Sequence, residues 1–363
     1  MTDRYAEHRA VARALGVDAI ALVPGYNFER LYNTRFSSFE RPMVIIIPVT
    51  GQPAALVPNL ELLSFEKLGF EGAVFDWRDQ TGYTDAFAAM AAHLPLTSLA
   101  VEGQVMRVFV HHALAAAYPG LRLVDGEKQI SGLRLRKTAD EVAALTRAIR
   151  LSEAALAETV AEVKAGMTEK QVESLLIAAL FRNGAEDLAF GPIVASGGNA
   201  AMPHAHAGDV ALKAGDALLI DFGGRKDGFA ADITRTFFIG HADDRAHQVY
   251  DTVLRANLAG LAVTRAGITA HEIDDTVISV LEASPFADYI RTKTGHGLGR
   301  NVHEAPYIMR GNHEVLAAGT VYTNEPGLYI PEEIGVRIED DVLVTDGGYI
   351  SLTEYPKNLT VIG

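Results

Sequence analysis

Two apolar segments that each contain one aspartate constrain the fold of this chain more than any other feature of its sequence. Asp221 and Asp232 lie in segments that flank the polar sequence 225–228, which is typical of a hairpin connection. If Lys226 and Asp227 form the turn, the two aspartates lie opposite each other, with Cβ atoms about 5 Å apart. Ionised carboxylates that close together in apolar surroundings repel, so either one is protonated or a cation lies between them. We expect a cation.

A second hairpin is expected to bring Glu325 and Glu339 together. The sequence Pro-Glu-Glu at 331–333 lies between the two glutamates and is typical of a turn. Arg337, Glu339 and Asp341 share one face of the second arm. Val336, Ile338 and Val342 lie on the other face. A solvated acidic edge is the alternative. The alternation disfavours it, because the apolar face must contact a core.

His296 is a third candidate because glycines flank it on both sides. Gly295 and Gly297 disfavour a helix and let the backbone pack closely, as a ligand-bearing loop requires. A single histidine is more often a core or surface residue than a ligand, and the local sequence leaves both interpretations open.

The composition limits the classes of function. A chain of 363 residues is long enough for two domains, and a formal net charge of −14 disfavours nucleic acid and anionic membranes as partners. The absence of cysteine excludes disulfides, thiolate zinc sites and cysteine nucleophiles. The N-terminal sequence is polar and the apolar run 43–49 is too short to span a bilayer, so we expect a cytoplasmic location.

Two domains are predicted, over residues 1–128 and 129–363. In the first, short apolar runs alternate with alanine-rich helical stretches, which predicts a small α/β domain. In the second, Thr138, Thr168 and Thr269 each precede a Glu or Gln by three residues. This spacing is that of a capping box at the start of a helix.

A short internal repeat indicates how the second domain is organised. Ala165–Thr168 and Ala266–Thr269 have nearly the same sequence and begin 101 residues apart (266 minus 165). Each copy precedes an expected helix, which is followed by glycine-rich sequence and then by acid-bearing strands. A match of four residues also arises by chance. Together with the similar order of elements, it predicts two related halves that face each other across a site.

The order of these motifs resembles that of the pita-bread metallopeptidase family. This family includes methionine aminopeptidase, Xaa-Pro aminopeptidase and prolidase, and the last two are the most similar to this chain. The resemblance extends from about Leu133 to the C-terminus, and Arg41-Pro42 with the next strand resembles the family's smaller N-terminal domain. It implies an α+β fold, with a creatinase/aminopeptidase-like C-terminal domain of two pseudo-symmetric halves after a creatinase-like α/β domain. The segments that carry it are Asp221–Asp232, Gly295–Gly299, Asn324–Gly327 and Val336–Asp340.

The resemblance also implies a site for two divalent metal ions. Asp221 would hold one ion, His296 and Glu325 would hold the other, and Asp232 and Glu339 would bridge both. The charge supports this independently, since four carboxylates balance two divalent cations. Mostly oxygen ligands with one imidazole suit Mn²⁺, Co²⁺ or Zn²⁺, and we expect manganese first. The implied reaction is metal-assisted peptide hydrolysis, with Glu325 passing a proton to the leaving nitrogen.

The substrates implied are small peptides with proline at the second position. A dipeptide substrate would make the protein an Xaa-Pro dipeptidase, or prolidase. Longer peptides would make it an Xaa-Pro aminopeptidase, which is the alternative. Family members that assemble as homodimers imply a homodimer here. Creatinase-like relatives without peptidase activity and non-catalytic binding proteins are the other classes, and the complete ligand set argues against both.

Four further residues match or depart from the family pattern. His204 would contact the substrate or intermediate, and His303 would face the proline. Arg337 resembles the arginine beside the family's last glutamate, which implies a catalytic and substrate-binding role; the alternative is a structural ion pair with the acidic cluster. Arg300 stands where the family has an apolar residue, so it either points to solvent or binds an anion such as the carboxylate of a dipeptide.

Overall fold

In the computed structural model, which describes residues 3–37 and 39–363, the chain divides into two units, Met1–Arg134 and Leu135–Gly363. The first unit contains a mixed six-stranded sheet with the order β4-β3-β2-β1-β5-β6. Its strands are β1 (Ala19–Leu22), β2 (Val44–Pro48), β3 (Ala54–Pro58), β4 (Ala73–Trp77), β5 (Ser98–Val101) and β6 (Arg122–Asp125). Its helices are α1 (Ala6–Leu15), α2 (Tyr26–Tyr32), α3 (Leu62–Glu66), α4 (Thr84–His93), α5 (Val108–Ala117) and α6 (Glu127–Ser131).

Both faces of this sheet are covered, because alternate residues of its central strands belong to different cores. Val44 and Ile46 of β2 pack with residues of α4 and α5, whereas Ile45 and Ile47 pack with residues of α1, α2 and α3. Strands β2 and β3 pair antiparallel and form a hairpin. The layered α/β architecture predicted for this region is confirmed.

The second unit consists of two halves with the same order of elements. The first half contains α7 (Ala139–Glu162), α8 (Glu169–Arg182), β7 (Asp187–Leu188), β8 (Ile193–Ser196), β9 (Ala217–Phe222), β10 (Gly224–Lys226), β11 (Phe229–Ala230) and β12 (Ile233–Ile239). The second half contains α9 (Asp244–Val263), α10 (Ala270–Glu282), β13 (Gly295–Gly297), β14 (Glu304–Ile308), β15 (Val321–Asn324), β16 (Gly327–Ile330), β17 (Ile334–Arg337), β18 (Asp340–Thr345) and β19 (Gly348–Ser351). The last strand, β20 (Val361–Ile362), returns to pair with β12.

Each half packs two helices against a sheet and extends a smaller hairpin from it. The main sheets have the orders β20-β12-β9-β8 and β14-β13-β15-β18-β19, and the hairpins are β10–β11 and β16–β17. In the part of the chain that the structure describes, four short 3₁₀ helices complete the fold, at Asn59–Glu61, Gly132–Arg134, Gly197–Ala201 and Ala287–Tyr289. None of the helices within the described residues is long and apolar enough to cross a membrane.

The predicted helix starts are confirmed. Thr138, Thr168 and Thr269 are the N-caps of α7, α8 and α10, and each forms a complete capping box with the third helical residue. The threonine hydroxyl accepts a hydrogen bond from a backbone N–H that has no partner within the helix, which fixes where the helix begins.

The internal repeat also has a structural counterpart. The N–H of Gly166 donates to the carbonyl of Leu212 at 2.8 Å, and the N–H of Gly267 donates to the carbonyl of Leu316 at 2.9 Å. In each half, the same short segment is therefore held by one backbone hydrogen bond where the chain leads into the second helix. This equivalence confirms two related halves.

Candidate metal centre

The first pair of acids lies on the sheet formed by β9 and β12. Thr234, not Asp232, lies opposite Asp221 in the observed register. The turn consists of Asp227 and Gly228, whose φ angles are 52° and 79°, so the predicted turn at Lys226 and Asp227 is wrong by one residue. A type I′ turn needs positive φ at both central residues, which Asp-Gly provides. Since Asp232 precedes Thr234 by two residues, it still lies on the same face as Asp221.

The second pair of acids lies at the base of the hairpin β16–β17. Gly327 pairs with Arg337, and residues 331–333 form the connection, as predicted. Continuing this register by two residues brings Glu325 opposite Glu339. Both halves therefore deliver their acids from the base of a small hairpin.

His296 lies between these acids and is only 3% exposed. Its Nε2 atom is 3.2 Å from Oε1 of Glu325 and 3.6 Å from Oδ2 of Asp232. Its Nδ1 atom lies 3.1 Å from the carbonyl oxygen of Gly297. A carbonyl can only accept, so Nδ1 carries a hydrogen and Nε2 is the nitrogen that faces the carboxylates, as in a metal-binding histidine.

The five predicted ligands converge. Three groups of side chains place one potential ligand atom each within 4.8 Å of the others. Asp232 and Glu339 each belong to two groups, as does His296, whereas Asp221 and Glu325 belong to one each. The groups are Asp221–Asp232–Glu339, His296–Glu325–Glu339 and Asp232–His296–His303.

The electrostatics of this cluster favour either protonated carboxyl groups or a bound cation. Burial raises the pKa of Asp232 well above its ordinary value, and the nearby charges of Glu339 and Asp221 raise it further. Burial and the charges of Glu325 and Asp221 likewise raise the pKa of Glu339. Oδ1 of Asp221 is buried and has no hydrogen-bond partner among the described residues. A carboxylate oxygen without a donor, in a cluster of like charges, fits a cation ligand.

Glu325 differs from the other acids. Burial raises its pKa, but the hydrogen bond and charge of His296, together with the charge of Arg337, outweigh burial and bring it below the ordinary value. Its Oε1 atom also accepts a hydrogen bond from the hydroxyl of Thr323 at 3.1 Å. Glu325 is therefore the acid of this cluster best kept ionised by its own neighbours.

Arg337 links the two halves beside this cluster. It donates to Oδ2 of Asp221 at 2.5 Å, to the hydroxyl of Thr234 at 3.0 Å and to the hydroxyl of Tyr329 at 2.8 Å. The Thr234 hydroxyl in turn donates to Oε2 of Glu339 at 2.5 Å. These contacts hold two of the acids in place and favour the structural ion pair over direct contact with a substrate.

The remaining predicted site residues are distributed around the cluster. His204 is exposed and lies on residues 197–207, here called the first histidine segment. His303 lies on residues 295–309, here called the second histidine segment, and its ring centroid is 4.2 Å from that of His296. Desolvation, together with the charge of His296, lowers the pKa of His303 from 6.5 to about 4.

Arg300 does not point to solvent, so the first of the two alternatives given for it is wrong. The residue is 8% exposed, and its guanidinium carbon lies 4.5 Å from the ring centroid of Phe229. Stacking on an aromatic face is a common way to accommodate a buried guanidinium.

Sequence reasoning missed the hydroxyl groups that orient the ligands. Thr234 lies two residues after Asp232, and Thr323 lies two residues before Glu325, so each shares a strand face with a ligand. The same period-2 argument that paired the acids could have found both threonines. Tyr329 could not be found in this way, because its contact with Arg337 depends on the side-chain directions across a hairpin.

Comparison with known proteins gives two family matches that together span most of the chain. Residues 143–346 match metallopeptidase family M24, and residues 4–136 match the Creatinase/Prolidase N-terminal domain. The chain is 33% identical over 368 residues to the probable dipeptidase PepE of Mycobacterium tuberculosis, covering 99% of this chain and 96% of that protein.

Solved structures show the same similarity over nearly the full length. The prolidase from Thermococcus sibiricus has a TM-score of 0.94 and 30% identity, covering 99% of this chain and 98% of its own. The X-Pro aminopeptidase from Thermotoga maritima has a TM-score of 0.85 and 28% identity, covering 98% and 99% respectively.

Proposed function

The chain belongs to metallopeptidase family M24, and from this premise we propose that it cleaves the Xaa-Pro bond of dipeptides with the help of two bound divalent ions. Membership makes it a metal-dependent peptidase and confirms the fold class expected from its sequence motifs. Relatives named dipeptidase and prolidase support a small peptide as the substrate. What we propose beyond this is that the second residue of the substrate is proline and that the substrate is a dipeptide.

The observation that carries the proposal is the convergence of five potential ligands in a buried cluster. Asp221 would bind one ion, and His296 with Glu325 would bind the other. Asp232 and Glu339 are the two acids that belong to two ligand groups each, and their two oxygens would let each contact both ions, which the single acceptor nitrogen of His296 would not. Two such cations supply Lewis-acid polarisation of the peptide carbonyl and lower the pKa of water in the site.

The protein's own side chains then orient the substrate and move the proton. Glu325, ionised by its neighbours, is the group that takes a proton from water and passes it to the leaving nitrogen. Any peptide nitrogen, that of proline included, must gain a proton to leave as an amine, and this delivery supplies it. His204 and His303 would contact the substrate. Arg337 would keep Asp221 in position directly and Glu339 in position through Thr234.

The metal dependence is tested by removing and restoring ions. We expect manganese to restore the highest activity to chelated protein, with cobalt and zinc as the alternatives. Metal analysis should give about two ions per chain. A fully active preparation without restorable divalent ion would contradict the proposal.

Peptide length separates the dipeptidase from the aminopeptidase, which similarity to the X-Pro aminopeptidase keeps as the second candidate. Ala-Pro should be cleaved with a higher kcat/KM than Ala-Pro-Ala at matched metal loading. Ala-Ala is the control for proline selectivity. Preference for the tripeptide would favour the aminopeptidase, and equal cleavage of Ala-Ala would remove the proline requirement.

Two further expectations stay predictions. Arg300 would bind the free carboxylate of a dipeptide, so Arg300→Ala should raise KM for Ala-Pro about tenfold, the loss expected for a charged contact. A homodimer is expected and can be measured by light scattering.

A further inference from the structure

Glu169 is a fully buried carboxylate outside the metal centre that holds both ends of the first histidine segment. Its Oε1 atom accepts hydrogen bonds from the backbone N–H of Ser196 at 2.7 Å and from the amide of Asn199 at 3.0 Å. Its Oε2 atom accepts from the same amide at 2.9 Å and from the N–H of Gly208 at 2.9 Å. One side chain thus joins the residue before the segment to the residue after it.

Asp274 does the same for the second histidine segment. It is 3% exposed, its Oδ1 atom accepts from the N–H of Thr294 at 2.8 Å, and its Oδ2 atom accepts from the N–H of Arg310 at 2.7 Å. Again, the two donors flank the segment on either side. Charge-assisted hydrogen bonds of this kind are shorter and stronger than neutral ones.

The two carboxylates are not copies of one ancestral position. Subtracting the 101-residue offset of the repeat places Asp274 at Glu173 of the first half, and adding it places Glu169 at Ala270 of the second. The acids therefore lie one helical turn apart in equivalent helices, yet both close the ends of the segment that carries the site histidines. A shared arrangement reached from different positions points to a requirement of the site, rather than to a relic of duplication.

The first histidine segment is also packed tightly against the other half. A β-carbon at Gly335, in β17, would lie 1.7 Å from the carbonyl oxygen of Ala200, and one at Gly198 would lie 3.0 Å from the backbone of Glu332. The segment consequently has little room to shift without disturbing the hairpin that carries Arg337.

We propose that Glu169 and Asp274 are positioning residues, which fix His204 and His296 respectively by holding both ends of their segments. Neither carboxylate touches the metal centre, so each acts through the backbone. A neutral amide in place of either carboxylate turns an NH₂ group toward backbone N–H donors, and at least one of these loses its acceptor. The segment is then released at one end.

Hydrogen exchange tests this without any reference to activity, and each half is the control for the other. In metal-free protein, Glu169→Gln should speed exchange at least tenfold in peptides covering 197–207 and leave those covering 295–309 unchanged. Asp274→Asn should have the opposite pattern. Glu173→Gln, on the same helix as Glu169 and at the position equivalent to Asp274, should change neither. Unchanged exchange, or equal acceleration in both segments, would overturn the proposal.

Activity provides the second readout, and this part rests on the proposed function. Glu169→Gln should lower kcat at least tenfold with metal content unchanged, and it should cost less than threefold in a His204→Ala background. Full additivity of the two substitutions would show that Glu169 does not act through His204. If the unsubstituted protein cleaves no Xaa-Pro peptide, the proposed function fails. The hydrogen-exchange result still decides whether Glu169 and Asp274 are positioning residues.

A milder substitution covers the case in which Glu169→Gln does not fold. Asn199→Ala removes the two hydrogen bonds between Asn199 and Glu169 from the segment side and leaves the buried carboxylate with its other donors. It should speed exchange in 197–207 at least threefold and leave 295–309 unchanged. No change in 197–207 would overturn the role of Glu169.

Discussion

The two halves of the C-terminal unit share a backbone plan but contribute different chemistry to the same site. Each half begins with two helices and continues with a pair of long strands. In each half, two acids lie at the base of the small hairpin between these strands. The first half contributes aspartates and the second contributes glutamates together with His296. The comparison shows that the repeated backbone determines where side chains meet. The identity of those side chains determines which ligand can bind there.

The largest expected effect comes from the acids that belong to two ligand groups. If the proposed two-ion site is right, Asp232→Asn in the first half and Glu339→Gln in the second should each lower kcat/KM roughly a thousandfold, because each would remove a charge that both ions share. Bound metal should fall below one ion per chain in both variants, as measured by mass spectrometry. If one variant retained two ions and full activity, the halves would not share the ions equally.

The pH dependence of metal binding should also reflect both halves. The pKa values of Asp232 and Glu339 are raised, so metal must displace protons from them, and affinity should fall about ten- to a hundredfold per pH unit as the solution is acidified. Without metal, these two carboxyl groups bind more protons in the folded chain than in the unfolded chain. Their contribution to the free energy of unfolding of the metal-free protein should therefore fall as the pH rises from about 4, the ordinary carboxyl pKa.

Calorimetric proton release and urea unfolding measure these two quantities. Asp232→Asn should remove part of both dependences, and Glu339→Gln should remove a similar part. A metal affinity that did not change with pH would contradict the raised pKa values.

The smallest expected effect concerns the equivalent helix caps. Thr168→Ala and Thr269→Ala should each lower the free energy of unfolding by about 1 kcal/mol, because each leaves a helix N–H without its acceptor. Urea unfolding of the two variants measures this, with Thr→Ser at each position as the conservative control. A loss confined to one variant would mean that the two entry segments are no longer equivalent.

The local features of this fold could be predicted from sequence because their causes are local. The capping boxes at Thr138, Thr168 and Thr269 depend on residues three apart, and all three were found. The turn before β17 was also found, whereas the first hairpin turn was displaced by one residue. In the observed register Asp221 therefore pairs with Thr234, two residues after Asp232. Because residues two apart share a strand face, the two aspartates still lie on the same face, as the prediction requires.

What the sequence could not show depends on contacts between distant residues. Glu169 and Asp274 are ordinary helix acids in the sequence, and only the folded chain brings them to the ends of the histidine segments. Arg300 illustrates the same limit, since nothing near it in sequence indicates that its side chain lies on the ring of Phe229.

The close approach of Gly335 to the carbonyl of Ala200 has a consequence for how this protein can evolve. A side chain at position 335 would clash with the carbonyl oxygen of Ala200 and push the two halves apart. A change in backbone conformation near residue 200 must likewise leave room for the backbone of Gly335. The ligands differ between the two halves, but a change at either Gly335 or Ala200 requires a matching change at the other. Variation in substrate preference is therefore easier to accommodate away from this contact than beside it.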